Sequence, residues 1–195
     1  MRYRTAVFIL ATLCLAVIAT AVISGTSTAA ELAGISMPDS INISGENCVL
    51  VGQGLRKVLF IKIYVSGLYM ATPLHQADAV INSNQIKRLV VHWKYKNVSA
   101  KKLQKEYREK LEENTPDRSE ELNRKIDHFI SLFTKPAVKN DQFIYTYEPG
   151  KGTSISLSGE NKGLIEGEDF MKALFKVWFG EKPFDKNLKK GLLGG

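Results

Sequence analysis

An α+β fold is predicted for this chain by two features of its residue pattern. Strand-like runs rich in β-branched and aromatic residues crowd the first half. Two amphipathic stretches then interrupt them, and a hairpin signal followed by further helices closes the chain. Strands grouped before helices, without strict alternation, exclude a doubly wound parallel sheet. No internal repeat, low-complexity tract or long linker divides the chain, so one domain is expected.

The chain opens on a different kind of segment. Arg2 and Arg4 precede an apolar run from Ala6 to Ile23, and the small residues Ser24 to Ala30 lead into Glu31. This order is that of a secretory signal, with cleavage expected after Ala30. The apolar run is about 18 residues, near the lower limit for a bilayer span, and its small-residue end favours cleavage over a retained anchor. Leu13 before Cys14 excludes a lipoprotein signal. Residues 1–30 are thus read as a signal peptide and 31–195 as the domain. The product is expected in the periplasm or outside the cell, with no stable transmembrane segment.

Removing the leader leaves 165 residues, enough for a real core. The leader carries Arg2 and Arg4 of the 27 basic residues and none of the 20 acidic ones, so the domain has a formal charge of +5. Its lysines are dispersed, which argues for a solvated surface and against nucleic acid as a partner. Cys48 is the one cysteine left, so no internal disulfide is expected, and its place in a strand-like stretch predicts burial.

Along the domain, Ile41–Ile43 and Cys48–Val51 read as strands joined by the turn residues Ser44-Gly45-Glu46-Asn47. Val58–Val65 reads as a further strand. Lys87–Lys96 follows, with Leu89, Val91, Trp93 and Tyr95 on one face. Ser99 is positioned to cap a helix reaching Asn114, with Leu103, Tyr107 and Leu111 in one stripe. Thr115-Pro116 reads as the start of a second helix, carrying Leu122, Ile126, Phe129, Ile130 and Phe133. Phe143–Tyr147 and Ser154–Leu157 are expected to pair across Pro149–Gly152, and short strands to flank Gly159–Gly163. A third helix carries Phe170, Ala173, Leu174, Val177 and Trp178 and stops at Gly180. A short last helix is expected over Phe184–Lys190.

Most familiar chemistry is missing. His75, His92 and His128 have no ligand spacing, so no metal is expected. No nucleophile elbow occurs. Gly52-Gln53-Gly54 lacks the third glycine and the helix of a dinucleotide loop, so no cofactor is expected.

The segment Gly52-Gln53-Gly54-Leu55-Arg56-Lys57, continuing to Lys62-Ile63-Tyr64-Val65-Ser66-Gly67-Leu68-Tyr69, resembles the chalcone isomerase superfamily, most of all its exported microbial branch. Gly163–Gly167, Ala173-Leu174-Phe175, Trp178-Phe179-Gly180 and Leu192-Leu193-Gly194 extend the resemblance over nearly the whole domain. It implies an open-faced β-sandwich, a large antiparallel sheet with helices packed on it and a ligand cleft between. By the same resemblance, Arg56 takes the place of a cleft arginine, and Tyr107 and Asn114 match a helical tyrosine and asparagine of the plant enzymes. Tyr64 stands where those enzymes carry a threonine, and Met171-Lys172 where they carry a threonine or serine.

Three functions follow as expectations. The first is binding of a small apolar acid, such as a fatty acid, with Arg56 on the carboxylate and Tyr64 and Tyr107 lining the site. The second is a cofactor-independent isomerase (an intramolecular lyase) that closes a ring by phenolate addition to an enone, using Arg56, Tyr107 and Asn114. Its partner would be an aromatic ligand. The third is a non-catalytic envelope or secretion component. The first requires Arg56 and Tyr64 to share a cleft. Eight residues in a straight strand would hold them about 26 Å apart, so a bend is required between Lys57 and Ile61, where no glycine or proline stands.

Overall fold

The structure, a computed structural model, describes residues 30–195. The expected leader lies outside the described residues except for Ala30. In chain order the elements are β1 (Ala30–Leu32), β2 (Ile35–Met37), β3 (Ser40–Ile43), β4 (Glu46–Val58), β5 (Ile61–Met70), α1 (Ala77–Asn82), β6 (Lys87–Trp93) and β7 (Asn97–Val98). They continue with α2 (Ala100–Asn114), α3 (Glu120–Ser131), β8 (Ala137–Val138), β9 (Gln142–Glu148), β10 (Gly152–Leu157), β11 (Glu160–Ile165), α4 (Glu168–Phe179) and α5 (Lys186–Leu192).

Seven strands form one antiparallel sheet in the order β11-β10-β9-β6-β5-β4-β3. Alternation along the strands gives each face its own core. Tyr64 and Leu68 of β5, with Leu89, Val91 and Trp93 of β6, meet the helices through Leu103, Tyr107 and Leu111 of α2, Ile126 and Phe129 of α3, and the apolar residues of α4. On the opposite face Val65, Tyr69, Val90 and the buried Cys48 pack under Met37 of β2. One face therefore carries a helical layer and the other a small hairpin, which is the open-faced β-sandwich expected.

Most elements lie where the residue pattern places them. Ser99 caps α2 by accepting from the Lys102 N–H at 3.3 Å, and β9 pairs with β10 from Phe143↔Leu157 to Glu148↔Gly152. Three expectations are corrected. Thr115 ends α2 instead of starting α3: its hydroxyl donates back to the Leu111 carbonyl at 2.6 Å. The cap of α3 is Ser119, which accepts from Leu122 N–H. The last helix begins at Lys186 and not Phe184, because Asp185 accepts from the N–H groups of Asn187 and Leu188. The third correction matters most for function. Val58–Val65 is not one strand. It is broken at Leu59-Phe60, where β4 turns into β5.

The two glycines before Arg56 have a packing role. A Cβ on Gly54 would lie 2.5 Å from the Leu188 carbonyl oxygen, and one on Gly52 would collide with the carbonyl of Gly191. Glycine at these alternate positions of β4 lets α5 settle directly on the strand backbone. This seats Leu188 and Leu192 in the core and brings the preceding Phe184 toward Arg56.

Candidate functional site

The turn at Leu59-Phe60 makes Arg56 and Tyr64 direct cross-strand partners. The register then shifts, because Lys57 pairs with Lys62 and leaves Ile63 as an extra residue. Such a bulge bends the strand and re-aims its side chains. The Ile63 carbonyl accepts from both Lys94 and Tyr95 N–H, which fastens the end of β6 to the bulge.

Arg56 is only 11% exposed, and its Nη1 donates to Glu106 Oε2 of α2 at 3.0 Å. The guanidinium carbon lies 4.4 Å from the centroid of the Phe184 ring and 5.6 Å from that of Tyr64, so two aromatic rings flank the cation. Burial works against its charge, but the Tyr64 and Glu106 oxygens hold the guanidinium above its ordinary value. Nε, on another edge of the fork, is buried without an acceptor.

Tyr64 is fully buried. Its hydroxyl accepts from the Trp178 indole N–H at 3.2 Å, and its ring meets Trp93 edge-on at 5.3 Å. Burial pushes its pKa up to about 12, with Arg56 and the Trp178 bond opposing the rise, so it stays a neutral phenol. Tyr107 sits behind Phe184, whose ring is 5.2 Å from its own. Its hydroxyl is 2.7 Å from that of Tyr145, and both phenols are pushed well above the ordinary value, mainly by burial. Stacked on Phe133 and edge-on to Phe129 and Trp178, Tyr107 fills the helix–sheet core.

Asn114 shares a face with Tyr107, as seven-residue spacing requires, but it is occupied elsewhere. Its Nδ2 donates to the carbonyls of Lys110 and Lys182, and its Oδ1 accepts from Lys182 N–H. These bonds tie the end of α2 to the α4–α5 connection. Replacing Asn114 by Ala is expected to lower stability by about 1–2 kcal/mol, as read by urea unfolding, because backbone groups lose partners.

The cleft beside Arg56 has a volume of about 110 Å³. Arg56, Glu106 and Lys102 form its polar wall, and Val58, Ile61, Ile63, Trp93, Tyr95 and Val98 its apolar one. The Trp93 indole nitrogen is a second buried donor without an acceptor. Leaving such a donor unpaired costs about 1–3 kcal/mol, and an acceptor brought by a ligand would remove that penalty. A whole drug-sized ligand needs about 300–1,000 Å³, so the cleft has room for only part of one. Among the described residues no group of His, Cys, Asp and Glu could hold a metal ion.

The structure thus gathers Arg56, Tyr64 and Tyr107 around Phe184 and leaves Asn114 at the far end of α2. It adds Glu106, Trp93 and Phe184, which the residue pattern did not single out. Glu106 lies next to Tyr107 on α2 and one turn from Lys102, a position from which a carboxylate reaches a cleft arginine.

Comparison with known proteins agrees with this architecture. A family model described as chalcone isomerase-like matches residues 29–194. No curated protein sequence matches the chain at a significant level. Among solved structures, a fatty-acid binding protein of Arabidopsis thaliana superimposes with a TM-score of 0.67 at 22% identity, covering 82% of this chain and 92% of its own. With the sheet order, the helical layer and a family match across the whole domain in accord, the chain belongs to the chalcone isomerase-like family.

Proposed function

We propose that this protein binds a small apolar acid of the fatty-acid type, with the carboxylate held by Arg56. The carrying observation is the pair of buried, unpartnered donors, Arg56 Nε and Trp93 Nε1, on residues that line one mostly apolar cleft. A carboxylate arriving on the Nε edge of the fork completes it while Nη1 keeps Glu106. Tyr64 shapes the head site through its ring, and Tyr107 supports it through Phe184. The fatty-acid binding of the Arabidopsis neighbour supports the same ligand class. In this reading the protein is exported, residues 1–30 are removed on the way, and no metal or cofactor takes part.

Native mass spectrometry of the exported full-chain product tests each part. The expected result is a mass that begins at Glu31 and an acyl acid retained through purification. Arg56→Ala is expected to weaken fatty-acid binding by about 10- to 100-fold. Arg56→Lys should restore little, because an ammonium cannot present the planar fork. Protein that emerges empty and takes up no added fatty acid would sink the binding reading. Turnover of a chalcone by the same preparation would favour the isomerase.

A further inference from the structure

The β4–β5 turn is built from residues that turns avoid. Leu59 is 86% and Phe60 98% exposed, with the half-exposed Val58 and Ile61 on either side. Leu59 adopts a φ of +56°, and Phe60 does not share the positive φ. That is the pattern of a type II′ hairpin, whose first central residue is normally glycine. A leucine there is strained as well as solvated, so neither folding nor solubility accounts for it.

The exposed charge around the tip is mostly basic. Lys57 and Lys62 are exposed and directly opposite each other, an arrangement that repels in the isolated protein. Lys96 follows the end of β6 that is bonded to Ile63, and the exposed Lys102 lines the cleft beside Val58 and Ile61. The exposed Lys139 precedes Asn140, whose N–H bonds Trp93 at the same end of the sheet. The acidic groups here are already occupied: Glu106 pairs with Arg56 and Lys102, Asp141 accepts from Val138 N–H, and Asp185 caps α5. Charge that looks dispersed along the chain is thus gathered by the register into a lysine collar around an apolar tip.

We propose that the Val58–Ile61 tip inserts into the surface of an anionic lipid bilayer while the lysine collar contacts its headgroups. The tip residues Val58 and Ile61 also wall the Arg56 cleft, so docking brings the cleft mouth to the acyl layer. An apolar wedge with a basic surround is the composition that binds the membrane interface without crossing it. This extends the fatty-acid reading, but lipid-surface binding is measured separately from it.

The test is co-sedimentation of the full exported protein with vesicles of phosphatidylcholine alone or mixed equally with phosphatidylglycerol. Leu59→Gly with Phe60→Ser installs the residues the turn geometry favours, so the variant should melt no lower than the parent. It is expected to lose at least about tenfold in partition onto anionic vesicles. Lys57→Gln and Lys62→Gln should each lose about fivefold, and raised salt should weaken the parent alike. Binding of a fluorescent fatty acid in vesicle-free solution should be unchanged in the tip variants and lost in Arg56→Ala, which should still sediment with vesicles. Equal sedimentation of parent and tip variant overturns the proposal, as does equal binding of the parent to neutral vesicles. A self-association without lipid that vanishes in the tip variant also overturns it, because the tip would then cover a second copy.

Discussion

Gly54→Ala is expected to lower the unfolding free energy by about 2–4 kcal/mol, although it adds one methyl group to a strand. The new Cβ would lie 2.5 Å from the Leu188 carbonyl oxygen, 2.9 Å from Leu188 Cδ1 and 3.0 Å from Leu188 Cα. Two of these atoms belong to the backbone of α5, so no side-chain rotation relieves the collision. The helix must back away, and it draws Leu188 and Leu192 out of a core in which both are fully buried. Gly150→Ala is the control. It has a φ of +75° but nothing within 4 Å, so it should cost about 1 kcal/mol from backbone strain alone. Urea unfolding of the two variants separates the effects, and equal losses would show that α5 does not rest on Gly54. Ligand affinity should fall with Gly54→Ala as well, because Phe184, which flanks Arg56, stands just before the Asp185 cap of α5.

The second large effect is a pH-dependent one at Lys87. This side chain is fully buried although it lies on a central strand. Its Nζ donates to the carbonyls of Val80 at 2.5 Å and Ser83 at 2.9 Å, which closes the C-terminal end of α1, and it lies 4.9 Å from the Phe175 ring. Burial, followed by the charge of Lys172, pushes its pKa down from 10.5 to about 7. Between about pH 7 and pH 10 the unfolded chain therefore binds the proton that the folded one has released, and stability should rise with pH. Below the folded value the charged ammonium is buried and that stability is lost. Tyr64 and Tyr69, both pushed up to about 12 by burial, act in the opposite sense. Their unfolded phenols ionise first, so stability should fall once the pH passes about 10. Lys87→Met removes the donor shared by the carbonyls of Val80, Ile81 and Ser83, of which Val80 keeps the Ser83 hydroxyl, and is expected to cost about 1–3 kcal/mol near pH 9. The loss should shrink near pH 6, where the parent carries its own penalty. Urea unfolding at both values decides the matter. A constant difference between parent and variant would mean that Lys87 keeps one protonation state through folding.

Local elements were legible because their signals are local. The Ser44-Gly45 turn, the β9–β10 hairpin, the stripe of α2 and its Ser99 cap depend on residues a few positions apart, where period and turn chemistry act directly. The β4–β5 turn had no local turn signal, because Leu59 and Phe60 carry none of the usual turn residues; only the need to bring Arg56 and Tyr64 into one cleft called for a bend there. One signal did remain: strand character runs with little relief from Glu46 to Met70, far beyond the roughly 10 residues that strands usually span. Gly52-Gln53-Gly54 could be excluded as a phosphate loop, but its packing role required knowing that α5 lies against it.

By itself the sequence determined the α+β class, the antiparallel order of local hairpins, the burial of Cys48 and the candidacy of Arg56. Period, composition and family-like motifs are enough for these, since each is written in neighbouring residues. The tertiary structure alone decided what Arg56 faces. Glu106 is 50 positions away from it, and Trp178, which bonds Tyr64, is 114 positions from that tyrosine. A hydrophobic period tells a side chain which way to point and nothing about which partner waits there. Only the folded sheet, closed over by α2, α4 and α5, brings two residues with unpartnered buried donors to the wall of one cleft and several lysines to one apolar tip.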